Sequence, residues 1–563
     1  MNKLVRYAVL ALGAAVLAAC AKPQSGSEPP LAYAPADTPY AYANLEPPPK
    51  AMIDWWQRQM SSLMPILLDT YDGLLEKRKT QGDGGAKILA GLLDELRGRD
   101  TFEKLREIGY KPDARMAVYG IGFVPVARLE LADPAAFKAM IARVEGKAGE
   151  KIPTGKTGDQ EYWQFGDDDV TVAVAVQGAH LVATLWPAGA NDTVRQLLLG
   201  VTRPASNLLD AGSLQAIAKK YRFSPYGEGY LDIAALVQRF TTTQTGSDLE
   251  IARALKLPTY IADANPVCAG EAKAIAQKFP RLVVGAEAYA PPQLSVAVQL
   301  ETEPALAQAL MAAFIAAPGT GAPAQGLVDI GLATPLLKLK DFWLKQADAV
   351  AAKPFACPEF ADLNETFAKS RQQLGATISP PFSDLTGLRL TLDRLDLRKD
   401  AKAPDVAARL LIGSNNPLAA IGMAQMALPQ LKDLQIRPDG KPVALPAGLV
   451  PASAQLPPVS VATTDKAIAL AAGQGEDAAL ATFFAAPPSP TPVFLRIHFS
   501  GALYGLLGQY VDVMQARMSA DKKDDFAATR LFPLYEKMFR SGEITAEINA
   551  NGIGVREAME LGN

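Results

Sequence analysis

The chain has 563 residues, 49% of them hydrophobic and 20% charged, a composition that supplies buried cores and excludes global disorder. Its 44 glycines and 43 prolines imply many loops without reaching a low-complexity or collagen-like composition. Fifty-six basic against 59 acidic side chains leave a net charge of −3 with no long basic run, which argues against nucleic acid as a partner.

Lys3 and Arg6 open the chain and are followed by an uncharged apolar run, residues 7–19. That run is shorter than the roughly 20 residues needed to span a bilayer, so residues 1–19 read as a secretory signal peptide. It ends in Leu17-Ala18-Ala19-Cys20, which resembles the lipobox of bacterial lipoproteins. The resemblance implies cleavage before Cys20, a diacylglyceryl group on its thiol and an N-acyl chain. Ala21 stands where members kept at the inner membrane often carry Asp, which implies sorting to the outer membrane, with the body facing the periplasm. Several acyl chains, at about 0.8 kcal/mol per buried methylene, make such an anchor stable. Residues 20–37, with Gln24-Ser25-Gly26-Ser27 and Pro29-Pro30, read as the lipidated tether.

The body begins with a strand at 40–44 and a helix from Pro49. Met60, Leu63, Met64, Leu67, Tyr71 and Leu74 recur at helical spacing along that helix and predict a core-packing stripe. A hairpin follows, 116–120 with 126–131, running into a helix at Asp133-Pro134. Two strands lie within 170–185 before a helix at 192–199. A strand at 229–233 leads into a helix at 234–240, and a second hairpin, 282–288 with 294–300, into a helix at Glu303-Pro304. The same order of units recurs from residue 327: a strand at 327–330 with a helix at 335–343, then a hairpin, 388–397 with 406–412, into Asn416-Pro417. Two strands within 459–470 precede a helix at 477–484, a strand at 493–499 precedes a helix at 502–510, and a last hairpin, 544–548 with 553–559, turns at Asn551-Gly552. Asp and Asn suit a helix N-cap, and proline suits the first helical position, where its missing N–H has no intrahelical partner to lose. The repeated order predicts a tandem duplication: an α+β protein of two similar lobes, 38–325 and 326–563, with antiparallel sheets each covered by helices on one face. Residues 410–431 carry no charge, but Ser414-Asn415-Asn416-Pro417 divides them into a strand and a helix start, so no transmembrane span is expected.

Few residues suggest chemistry. The two histidines, His180 and His498, are too far apart in sequence for a metal motif and read as strand residues. Gly149 and Gly155-Lys156-Thr157 miss the spacing of a phosphate loop, and Asp167-Asp168-Asp169 lacks the alternation of a calcium loop. Ser519-Ala520-Asp521-Lys522, Ser414-Asn415-Asn416 and Lys156-Thr157-Gly158 match the short motifs of penicillin-binding proteins in reversed order, which marks them as accidental. No catalytic, cofactor or metal residue is therefore assigned. Trp55 and Trp56 lie near the tether but share their Asp-aromatic-Trp pattern with Asp341-Phe342-Trp343, which favours packing over a membrane interface. With Cys20 lipidated, Cys268 and Cys357 remain as an even pair in an oxidising compartment and predict a disulfide.

Tyr119-Gly120-Ile121-Gly122 before Pro125-Val126-Ala127-Arg128-Leu129-Glu130-Leu131, and Gly229-Tyr230-Leu231-Asp232-Ile233, resemble segments of uncharacterised repeated-domain lipoproteins of Gram-negative bacteria. That resemblance implies a fold and an address but no activity. The expectation is a non-catalytic lipoprotein, held to the membrane by its lipid, that binds a partner protein or an apolar envelope component. The alternative is an envelope hydrolase of glycan or peptidoglycan using paired carboxylates. The lining of the largest concavity separates the two: apolar for the first, converging acids for the second.

Overall fold

The computed structural model describes residues 28–79, 84–166, 170–187, 189–242, 249, 265–396, 405–449, 457–517 and 530–562. The chain divides into two compact units, one up to Val296 and one from Ala297 to Gly562.

In the first unit the strands are β1 (Tyr40–Ala43), β2 (Met116–Ile121), β3 (Val124–Glu130), β4 (Thr154–Thr157), β5 (Gln160–Gly166), β6 (Val170–Gln177), β7 (His180–Pro187), β8 (Glu228–Asp232) and β9 (Arg281–Ala290). They pair antiparallel in the order β4-β5-β6-β7-β3-β2-β1-β8-β9. The β4–β5 hairpin has no counterpart in the sequence reading, which weighed Gly155-Lys156-Thr157 only as a loop; Gly158, at φ +57°, makes its turn. Asp133 caps the helix Pro134–Ala148 by accepting from the N–H groups of Ala135 and Ala136, as its sequence signature predicts. Part of the stretch expected as tether is structured. Pro30–Tyr33 forms a buried 3-10 helix whose Leu31 and Tyr33 join Tyr119, Val126, Val182 and Leu198 in the main core of this unit. Along the helix Lys50–Lys79, Met60 is buried and Met64 packs with Leu68, whereas Tyr71 points to solvent.

The second unit continues with β10 (Gln293–Glu301), shared at its start with the first, then β11 (Val328–Ala333), β12 (Leu385–Asp396), β13 (Asp405–Ser414), β14 (Val443–Ala444), β15 (Val459–Thr463), β16 (Ala467–Ala472), β17 (Val493–Ser500), β18 (Phe539–Asn549) and β19 (Gly552–Leu561). Their order from β14 is β14-β15-β16-β13-β12-β11-β17-β18-β19. The last hairpin turns one residue earlier than predicted: Asn549 faces Gly552, so Ala550-Asn551 form the turn. Asn416 caps the helix Pro417–Ala427, which confirms the division of the uncharged stretch 410–431. Among the described residues no helix is long and apolar enough to cross a membrane.

The expectation of two similar lobes with separate sheets is overturned. The described strands belong to one antiparallel sheet of nineteen, within an α+β mixture. The physical reason lies in β10, which pairs with β9 along one edge and β19 along the other. A strand between two partners leaves no row of unpaired N–H and C=O groups to end a sheet there.

Candidate functional site

The most unusual surface belongs to the sheet of the second unit, and its origin is visible in the strand sequences. β11 reads Val328-Asp329-Ile330-Gly331-Leu332, β12 holds Leu388-Arg389-Leu390-Thr391-Leu392, and β17 holds Leu495-Arg496-Ile497-His498-Phe499. Successive side chains point to opposite faces, so each strand offers an aliphatic face and a polar face. The registers align them: Ile330 faces Leu390 and Ile497, and Leu390 faces Leu410, which faces Leu470. A parallel row joins Ile468, Ile412, Leu388, Leu332 and Leu495, and a third joins Ala408, Leu392, Val328 and Phe499. Alternation of this kind ordinarily buries the aliphatic face and hydrates the polar one. Here the polar face is the more deeply buried of the two. Asp329, Thr391, Arg389 and Arg496 on the polar face are at most 2% exposed, while on the other face Leu332 is 39% and Leu390 41% exposed. Ile330, Leu388, Leu410, Ile412, Leu470 and Ile497 are only half-buried.

The polar face is sealed by its own chemistry. Asp329 accepts two bonds from Arg389, Nε at 3.1 Å and a terminal nitrogen at 2.8 Å, and one from Arg496 at 3.0 Å. The backbone N–H of Gln325 adds a fourth at 3.2 Å. Burial alone would raise the Asp329 pKa, but the hydrogen bond from Arg389 and the charges of both guanidiniums outweigh it and hold the carboxyl below its ordinary range. Arg496 also donates to the carbonyls of Thr320 and Ala322, at 3.3 and 2.7 Å, which pins the loop 317–325 over the cluster. Gly319 lets that loop approach: its φ is +70°, and a Cβ there would lie 2.4 Å from an Arg389 nitrogen. Farther along, Phe483 of the helix Leu480–Ala485 lies under the guanidiniums of Arg389 and Arg409, on a floor of Ala467, Ala469 and Ala471. Arg409 pairs in turn with Asp393, the extra residue of a β-bulge in β12, and with Glu476 at 3.3 Å.

A concavity of about 300 Å³ opens in the same unit among Asp393, Arg394, Gly505, Leu506, Gln509 and Glu536. Of its two acids, Asp393 is engaged by Arg409, and the neighbouring Arg394 is engaged by Asp405 at 2.8 Å.

The first unit buries charge on less even terms. Glu130 accepts from Lys111 at 2.7 Å and from the Arg115 side chain and backbone at 2.9 and 3.0 Å. Arg128 donates to Gln177 at 3.0 Å and to the Leu199 carbonyl at 2.8 Å, and shares the Tyr33 ring with Arg203, their guanidinium carbons 3.6 and 3.5 Å from its centre. Other groups lack such partners. Both oxygens of Glu228 are buried without a hydrogen bond of normal geometry. Burial pushes its pKa up to about 7 against the nearby Gly227 and Leu45 amides. Asp113, equally unpartnered, is raised by burial to about 6.

Of the residues singled out in the sequence, Cys20 and the Asp167 and Ser519 clusters lie outside the described residues. Cys268, third residue of the helix Pro266–Lys278, and Cys357, before the 3-10 helix Pro358–Phe360, are each buried half-cystines. His180 is 2% exposed with neither ring nitrogen hydrogen-bonded, its pKa lowered by burial to about 4. His498 is half-buried, opposite Asp329 on the sealed face, with its pKa lowered chiefly by burial. Gly155-Lys156-Thr157 lies in strand β4, and Ser414-Asn415-Asn416 leads into the helix Pro417–Ala427. Trp55 is 1% exposed, consistent with packing, whereas Trp343 is 51% exposed. The sequence reading missed Asp329, Arg389 and Arg496 because charged residues alternating with aliphatic ones normally mark a solvated face. The chain matches no protein-family model, and no curated protein or solved structure shows significant similarity to it.

Proposed function

We propose that this chain is a non-catalytic binding protein of the bacterial envelope, lipid-anchored through Cys20 to the outer membrane and facing the periplasm, that takes up an apolar envelope component on the aliphatic face of β11, β12, β13 and β17. One observation carries the reading: the sheet seals its charged face and leaves its aliphatic face half open. Each Å² of apolar surface left in water forgoes about 25 cal/mol, so a wide aliphatic face is stable in this state only because the charge network holds the other side. A ligand of matching chemistry recovers that energy. The side chains in the central rows are leucine, isoleucine and valine, with no hydrogen-bonding group among them, which suits an acyl chain better than a polar peptide. The lipobox resemblance supports the address. The hydrolase alternative has less support, since Asp393, one of the two acids at the concavity, is already held by Arg409.

A fluorescent fatty-acyl probe tests the reading. Probe uptake by the full chain should saturate, and Leu390→Asp, at a position 41% exposed and with its fold checked by circular dichroism, should weaken it about tenfold or more, as expected for placing a charge among apolar contacts. Metabolic labelling with a fatty acid should mark the wild type and not Cys20→Ser. Uptake unchanged by Leu390→Asp would remove the proposed surface, and an unlabelled wild type the proposed anchor.

A further inference from the structure

We infer that the concavity beside the aliphatic face is the headgroup site for an amine-headed diacyl lipid, an inference that rests on the apolar-binding function proposed above. Position is the first argument. The concavity is lined by Leu395, whose register partner Val406 shares the face of Ala408 and Leu410, and by the helix Ala502–Arg517, whose Tyr504 lies edge-on to Phe499 of the last aliphatic row. An acyl chain laid on the rows therefore brings its polar end to this opening. Charge is the second argument. Asp393 and Arg394 each have an ionic partner within the second unit. Glu536 makes no hydrogen bond or ion pair with another described residue, and it leans over Gly505, where a Cβ would lie 2.5 Å from its Oε2. The glycine thus leaves room for a carboxylate that no described residue neutralises, beside the Gln509 amide and the apolar Leu506.

This set selects among headgroups. A primary ammonium has three N–H donors to share between the Glu536 carboxylate and the Gln509 carbonyl oxygen. A quaternary ammonium has the charge but no donor, and a glycerol headgroup brings only the phosphate charge, which Glu536 repels. A solvent-accessible ion pair of this kind supports about a threefold to fivefold preference.

Native mass spectrometry of the full chain in mild detergent, titrated with dioleoyl lipids bearing ethanolamine, choline or glycerol headgroups in equal amounts, tests the inference. The wild type should retain the ethanolamine lipid about threefold to fivefold over the other two. Glu536→Gln, a surface substitution, should bind all three equally with unchanged total occupancy, while Leu390→Asp should lose all three. Equal retention by the wild type, or a preference that survives Glu536→Gln, overturns the headgroup site and leaves the aliphatic face standing. A wild type that retains no lipid overturns both.

Discussion

The two units bury strand carboxylates to the same depth with opposite results. Asp329 and Glu228 are both fully buried on strands of antiparallel sheet. Asp329 meets two guanidiniums and a backbone N–H, and its carboxyl stays ionised below the ordinary range. Glu228 meets no hydrogen-bond donor in normal geometry, and burial carries its pKa to about 7. Depth of burial therefore does not decide what a buried acid costs. The donors aimed at it do, because a low-dielectric surrounding strengthens a formed bond and penalises an absent one alike.

The largest expected effect comes from breaking the satisfied site. Asp329→Ala leaves Arg389 and Arg496 buried without their counter-charge and releases the hold on loop 317–325. Removing one partner of such a group costs about 3 to 5 kcal/mol. Urea unfolding of the purified chain should show that loss, or no folded protein at all. The double variant Asp329→Ala with Arg389→Met should be less damaged than the single one, since it removes one stranded cation. A single variant within about 0.5 kcal/mol of wild type would show that the network is not what holds this face closed.

Much of the local structure was legible in the sequence. Asp133-Pro134 and Asn416-Pro417 start helices with the side-chain caps their residue types predict. The alternating strands at β3, β13 and β17 fall where the pattern places them. The global pairing was not legible: period-2 alternation says which residues share a face, and nothing in it says that β10 has a partner on each edge. Nor did alternation reveal which face is buried. Leu388-Arg389-Leu390 reads as aliphatic in and charged out, and the structure inverts it because Asp329, Arg496 and the loop carbonyls of Thr320 and Ala322, distant in sequence, supply the partners. The open aliphatic face, and with it the candidate site, was hidden by the same inversion.

A smaller effect, with a defined pH window, is expected at Glu228. Its pKa in the folded chain, about 7, lies above the unfolded value near 4.5, so the folded state holds the extra proton and stability falls as pH rises from about 4.5 to 7. Glu228→Gln keeps the shape without the charge. It should gain about 2 to 3 kcal/mol over wild type at pH 8 and little at pH 4. Thermal unfolding across that range checks it, and a gain independent of pH would mean that the benefit comes from packing instead of ionisation.

The smallest and opposite effect belongs to His180, where the charged form is the one excluded. Its ring lies edge-on to Tyr33, 5.4 Å between centroids, and both nitrogens are buried without a hydrogen bond. Burial is the main cause of the depressed pKa; the charges of Arg128 and Arg115 add to it, and Glu130 and the Glu28 backbone oppose it. The folded value, about 4, lies below the unfolded one near 6.5, so the unfolded chain binds the proton first and stability falls as pH drops through that interval. His180→Leu removes the titration while keeping an apolar side chain against Tyr33. At pH 4.5 it should recover about 2 kcal/mol relative to its own difference from wild type at pH 8, where both imidazole states are neutral. Between about pH 4.5 and 6 Glu228 and Asp113, the latter raised to about 6, both lose stability as pH rises and His180 gains it, so wild-type stability should fall with roughly the slope of one group, Glu228→Gln should flatten that slope and His180→Leu should steepen it. A slope that neither substitution changes would mean that neither group is buried as the structure places it.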